Sequence, residues 1–155
     1  GWTVFLDADN ATAIDHLDLV WPLFAQGCGL VIGSRHPQDA PGSTIERPQP
    51  LWKQLLGKAG NLLIRALAVP DIRDTQCGFK VLTKELTEKI LPLAESERWA
   101  LDIELIVLAR RFGFRVGVVP VRWSHSGDSR VGLKGYLATL VELVRIKQRL
   151  KTGRL

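Results

Sequence analysis

The sequence predicts an α/β domain that opens with a βαβ unit, and three observations predict it. Trp2 to Leu6 is an apolar run of strand length; Ile14, Leu17, Trp21 and Phe24 recur on one helical face from about Ala13 to Ala25; and a second short apolar run, Leu30 to Ile32, follows. At 155 residues the chain is the size of one domain, and 46% apolar residues can build a sizeable core.

The remaining elements follow in order. Arg35 to Pro50 carries Pro37, Pro41, Pro48, Pro50 and Gly42, so it reads as an irregular loop, long enough to act as a functional lid. Leu51 to Ala68 is strongly apolar with Lys53, Lys58 and Arg65 interspersed, the pattern of a helix that is buried or lies on a greasy surface. A polar turn, Asp71 to Thr75, precedes a short strand, Phe79 to Leu82. Thr83 is placed to cap a helix to Leu91, which Pro92 ends. A helix is expected from about Leu101 to Phe112, stopping at Gly113, and a strand from Arg115 to Arg122 whose far end Pro120 assigns to a sheet edge. After a polar loop, Ser124 to Arg130, residues 132–151 form a C-terminal amphipathic helix with a basic end. No internal repeat or linker interrupts the pattern.

The net charge of +5 suits a phosphorylated substrate, anionic lipid or nucleic acid, but no nucleic-acid motif accompanies it and one tyrosine is too few to interleave with bases. Cys28 and Cys77 lack metal spacing and read as buried thiols of a reducing compartment. Arg65 interrupts the longest apolar candidate, so no run approaches the roughly 20 residues of a membrane-spanning helix.

Asp7-Ala8-Asp9 stands directly behind the first strand. Two carboxylates one residue apart at that place can hold a divalent cation against a diphosphate, because hard cations share carboxylate and phosphate oxygens. This points to sugar-nucleotide chemistry, and to a chain that starts within a domain, since such units have earlier strands for the base and ribose. Thr12 with Asp15 reads as a capping box.

Longer elements support the aspartate pair. Asp7-Ala8-Asp9-Asn10-Ala11-Thr12, Gly33-Ser34-Arg35, Asp74-Thr75-Gln76-Cys77-Gly78-Phe79-Lys80, Glu97-Arg98-Trp99-Ala100-Leu101-Asp102-Ile103-Glu104-Leu105, Val119-Pro120-Val121-Arg122-Trp123 and Asp128-Ser129-Arg130-Val131 occur in order over nearly the whole chain. Together they resemble the dolichyl-phosphate β-glucosyltransferase family. The resemblance implies a GT-A (Rossmann-like nucleotide-diphospho-sugar transferase) fold with its N-terminal half missing from this chain, residues 1–155 then forming a single truncated domain without the base and ribose pocket or any membrane anchor. It implies inverting family-2 transfer of a hexose, glucose foremost, from a UDP-sugar donor to a dolichyl or other polyprenyl-phosphate acceptor. The expected setting is the cytosolic membrane face, of the ER if eukaryotic or of the inner membrane if bacterial.

Residue by residue, Asp9 is the expected direct ligand of Mg2+ or Mn2+, with Asp7 supporting the ion or the ribose. Arg35, at the end of a strand where α/β sheets bind ligands, offers a guanidinium fork to a phosphate, and Arg47 is a second phosphate contact or a solvated arginine. Gln76 is placed to bond sugar hydroxyls, Lys80 to bind substrate, and Gly78 to permit close backbone approach. Asp102 is either a general base or a group that orients the hexose or an arginine; an acceptor phosphate is already ionised and needs no base. Glu104 is a substrate contact or an acid of a helix first turn, and Trp99 stacks on sugar or packs in the core. Arg130 matches the family's cation that closes over the donor diphosphate.

The last helix and Leu51 to Ala68 fit helices resting on a membrane surface; an oligomer contact or plain core packing is the rival. Two other functions remain open: a related transferase acting on a glycan or lipid hydroxyl, which would need Asp102 as a base, and a non-catalytic GT-A-like binding module.

Overall fold

A computed structural model describes residues 1–9, 11–47, 51–97, 99–124 and 133–152, with the backbone alone at positions 47, 53, 133, 134, 136 and 137. Strands β1 (Trp2–Phe5), β2 (Cys28–Ser34), β4 (Lys80–Thr83) and β5 (Arg115–Pro120) make one sheet in the order β1-β4-β2-β5. β4 is antiparallel to both neighbours and β2 is parallel to β5, so β1, β2 and β5 all run the same way. Phe5 and Ile32 both lie opposite Lys80, and Ser34 lies opposite Pro120. The C-terminal ends of the three like-directed strands and the start of β4 therefore share one edge of the sheet, the edge at which α/β sheets take their ligands.

Both faces of this sheet are covered, which explains why β2 is buried throughout. On one face Leu30, Ile32 and Leu82 pack with Leu86 and Ile90 of α3 (Lys84–Ile90), Ile103 and Ile106 of α4 (Trp99–Arg111), and Leu143 and Ile146 of α5 (Leu133–Thr152). On the other, Val31, Val81 and Phe79 pack with Val20, Leu17 and Leu23. The period of two along β2 and β4 sorts the side chains between these layers.

Several elements differ from expectation. The helix foreseen from Ala13 to Ala25 is a 3-10 turn, Ile14–Leu19, followed by the short α1 (Trp21–Ala25). Pro22 cannot donate to a preceding turn and its ring excludes the carbonyl four residues back, so it tolerates only the first turn of a new helix. The loop after Arg35 contains a strand, β3 (Thr44–Arg47), paired in parallel with β6 (Arg122–Ser124) in a second small sheet. The single strand expected from Arg115 to Arg122 is thereby divided between two sheets. Val121 makes the transfer: its N–H donates to Ser34 O at 3.2 Å while its carbonyl accepts from Thr44 N at 3.1 Å. Pro120 does end an edge strand, as its missing N–H suggested.

Helix starts and stops follow local chemistry. Thr83 accepts from Leu86 N at 3.3 Å and caps α3. α4 begins at Trp99, two residues earlier than its apolar period indicated, and gives way to Gly113 at a φ of 79°. Cys28 and Cys77 are buried free thiols. Helix α2 (Leu51–Leu67) leaves much of its apolar surface uncovered, with Leu51 77%, Leu55 67% and Leu62 66% exposed. Among the described residues no helix is long and apolar enough to cross a membrane.

Candidate active site

The shared strand edge collects charged groups from distant parts of the chain. Asp7 follows β1, Arg35 follows β2, Lys80 opens β4, and Asp102 comes from the first turn of α4. Lys80 is 1% exposed; its Nζ donates to Cys77 O at 2.6 Å and pairs with Asp102 Oδ1 at 2.7 Å. So buried, the ammonium faces the Asp102 carboxylate and the Cys77 carbonyl and not the solvent, unlike the open substrate contact expected of it. Asp102, 24% exposed, keeps one side toward solvent.

Removing one member of such a pair strands the other in a poorly solvated place. Asp102→Asn and Lys80→Met are each expected to destabilise toward the low end of about 3–5 kcal/mol, and the double variant by less than either, as a urea-denaturation double-mutant cycle will show.

Asp7 lies against the Cα of Gly78, so closely that a side chain there would overlap the carboxylate. Gly78 thus permits the close approach foreseen at this position, and the group that approaches is Asp7. Asp7 has an exposed edge, yet burial of the rest of the carboxyl raises its pKa, helped by the negative charge of Asp9 and Asp102 and opposed by Lys80 and Arg35. Asp9 is exposed and accepts from Ala11 N at 3.1 Å, an Asx turn that fixes its direction.

The donor set suits Mg2+ or Mn2+: two hard carboxylates one residue apart in the chain, both on exposed residues. Among the described residues no group of three or more His, Cys, Asp or Glu side chains forms a cage for a metal ion. Mg2+ is usually held by one or two carboxylates together with water and substrate phosphates, which such a pair can satisfy.

Arg35 does not present its fork to solvent. Nε and Nη2 donate to Asp74 at 2.7 and 2.8 Å, and the Arg35 backbone N–H donates to the same carboxylate at 2.8 Å. The guanidinium carbon stands 5.2 Å from the ring centroid of Trp123. A guanidinium has five N–H donors, so the end formed by Nη1 and the outer Nη2 proton is not used by Asp74. Burial alone would lower the Arg35 pKa, but Asp74 outweighs it and holds the group above the ordinary arginine range. Burial likewise pushes Asp74 up, while the charge and hydrogen bonds of Arg35, then Lys80, bring it below the ordinary carboxylate value. The Cys77 thiol is raised, chiefly by burial, and so stays protonated.

Other expected residues take different places. Gln76 donates from Nε2 to Trp99 O at 3.3 Å, which ties its loop to the start of α4. The Trp99 ring covers Gly135 of α5, a packing role, and also lines a cavity of about 580 Å³ between α4 and α5. Glu104 is fully buried and not in the first turn of its helix; it accepts from Ser96 N at 2.7 Å and Glu95 N at 3.1 Å and pairs with Arg149 Nη1 at 2.5 Å. That interior pairing of α4 to α5 corrects both earlier readings of Glu104. Arg47 has only its backbone described, in β3, and Arg130 lies outside the described residues. Sequence reasoning missed Asp39 and the place of Trp123 beneath Arg35, because both act across long chain separations.

No family model matches the sequence. Curated relatives do. The chain is 33% identical over 155 residues to the dolichyl-phosphate beta-glucosyltransferase ALG5C of Trichomonas vaginalis, covering 97% of this chain and 45% of that protein. It is 29% identical over 158 residues to the dolichyl-phosphate beta-glucosyltransferase of Dictyostelium discoideum, covering 98% and 47%. Against the glycosyltransferase AglD of Haloferax volcanii it is 36% identical over 131 residues, covering 84% of this chain and 20% of that protein. The architecture and these relationships define a glycosyltransferase sequence, part of a GT-A domain. Within that class, the relatives that it matches over most of its own length are dolichyl-phosphate β-glucosyltransferases. It spans less than half the length of these relatives.

Proposed function

We propose that the full-length gene product transfers a hexose, glucose from UDP-glucose, to a dolichyl or other polyprenyl phosphate, with inversion, at the cytosolic face of a membrane: the ER membrane in a eukaryote, the inner membrane in a bacterium. The observation that carries this reading is the convergence of Asp7, Asp9, Arg35, Lys80 and Asp102 at the C-terminal edge of the sheet. Such an edge places acids for a cation beside an arginine for phosphate, the two demands of diphosphate departure and phosphate attack.

The chemistry is a single displacement. A phosphate oxygen of the acceptor attacks the anomeric carbon from the face opposite the nucleotide, the bond from that carbon to the diphosphate breaks, and UDP leaves with the electron pair. Mg2+ or Mn2+ held by Asp7 and Asp9 would supply Lewis-acid neutralisation of the departing diphosphate. The end of Arg35 that Asp74 leaves unused suits the acceptor phosphate, and Arg47 is a second contact for it. Arg130 serves as the cation that closes over the donor, and Gln76, on the loop tied to Trp99 at the start of α4, bonds the hexose hydroxyls in this reading.

An ionised phosphate needs no proton removed, and Asp102 fits that case: it is engaged by Lys80 and serves to orient the sugar rather than to act as a base. The uncovered apolar face of α2, with Trp52 54% and Leu55 67% exposed, and exposed Val141 and Val144 on α5 beside Arg145, Lys147 and Lys151, support contact with an anionic bilayer. An enzyme that meets a polyprenyl tail must work at the bilayer, since burying such a tail in water is prohibitive.

The deciding experiment follows radiolabelled glucose from UDP-glucose into polyprenyl phosphate and, in parallel, diacylglycerol, using the full-length gene product with Mn2+ or EDTA. The expected result is metal-dependent glucosyl phosphoprenol and no labelled diacylglycerol. Label in diacylglycerol alone, or in neither acceptor, would overturn the assignment.

A further inference from the structure

We propose that Asp39 is a positioning residue that aims Arg35 at phosphate, a role that rests on the reading of Arg35 as a phosphate contact. Asp39 lies in the connection after β2, and its carboxylate joins the chain on both sides of the Arg35–Asp74 pair. Oδ2 accepts from Ser34 Oγ at 2.9 Å, from Arg73 N at 2.9 Å and from Asp74 N at 2.8 Å, and Oδ1 accepts from Arg73 N at 3.0 Å. Ser34 immediately precedes Arg35, so one carboxylate secures the residue before the arginine and the backbone of its anionic partner.

Each neighbouring contact strengthens this geometry. Ser34 is fully buried, and its Oγ also accepts from His36 N at 3.1 Å, which turns the chain back toward Asp39. On the far side of the same segment, Asn61 of α2 donates to the carbonyl of Arg73. With residues 73 and 74 held from two directions, the Asp74 carboxylate has one orientation, and it grips Arg35 side-on while the ring of Trp123 lies beneath. The guanidinium end left over is thereby fixed relative to Asp74 and the Trp123 ring. Among the described residues Asp39 meets donors alone, and an amide of the same shape would turn its N–H2 toward the Arg73 N–H that both carboxylate oxygens share.

The test is Asp39→Asn in the full-length protein, read by NMR of the Arg35 Nε–H, assigned as the signal that vanishes in Arg35→Lys. Inorganic phosphate is the titrant, and the KM for polyprenyl phosphate is measured in parallel. The expected outcome is a shifted, faster-exchanging Arg35 signal, phosphate affinity weaker by about tenfold, and a KM raised by a similar factor with kcat within about twofold. An unchanged Arg35 signal and phosphate affinity would overturn the proposal, as would losses of kcat and KM that track only the unfolded fraction. If Asp39→Asn does not fold, Ser34→Ala removes a single donor to the same carboxylate. It must then move the same readouts in the same direction, by less, and no movement overturns the proposal. Absence of glucosyl transfer by the wild type would refute the proposed function, while the Arg35 signal and its phosphate titration would still decide the role of Asp39.

Discussion

Replacing Asp74 by alanine is expected to remove about 3–5 kcal/mol of folding stability, one of the largest single-residue losses in the protein. Asp74 is 8% exposed and receives the Arg35 side chain twice, the Arg35 backbone once and the pull of Lys80. Without it a mostly buried guanidinium loses its anion and the Arg35 backbone N–H loses its acceptor, while the bonds from the backbone of residues 73 and 74 to Asp39 remain. The pH dependence has a definite sign. The folded-state pKa of Asp74 is lowered, so its stabilisation is complete above the unfolded carboxylate value of about 3.9 and is lost as pH falls through the depressed folded value. Urea midpoints measured from about pH 6 down to pH 2 will therefore fall steeply in the wild type. In Asp74→Asn they will start lower and fall with a shallower slope.

Gly78→Ala is expected to cut glucosyl transfer by about a hundredfold while leaving most of the fold intact, since a misplacement of about 1 Å at a reacting centre has that order of effect. The added methyl would occupy the space of the Asp7 carboxylate, which must then rotate away from Asp9, Lys80 and Arg35. Gly57 of α2 supplies the control. Nothing stands near the position its side chain would take, and alanine is the better helix former by about 0.5–1 kcal/mol, so Gly57→Ala is expected to preserve activity and raise the denaturation midpoint. Equal activity of Gly78→Ala and wild type would show that the Asp7 carboxylate need not stay where the glycine lets it lie. Assaying both variants alongside a circular-dichroism melt separates loss of the site from loss of the fold.

Much of the site was legible because its residues sit at fixed offsets from strand ends. Asp7, Arg35 and Lys80 each occur within two residues of a β-strand terminus, and a strand announces itself by a short apolar run whatever its partners. Asp102 was legible as an acid of α4, but its partner Lys80, whose buried ammonium comes from the start of β4, was not. Glu104 shows the opposite case. Two places along the chain it resembled its neighbour, yet two residues turn a helix by about 200°, which carries it from the site to the interior and to Arg149.

The sequence by itself determined the α/β class, the four strands of the larger sheet, the cap at Thr83, the stop at Gly113 and the likeness to dolichyl-phosphate β-glucosyltransferases. Each depends on residues close in sequence or on motifs read as a string. Tertiary structure alone decided the strand order β1-β4-β2-β5, the division of the strand after Arg115 between two sheets, and the pairings Arg35–Asp74, Lys80–Asp102 and Glu104–Arg149. Their physical reason is common: buried charges and strand edges are satisfied by groups that are near in space and tens of residues away along the chain.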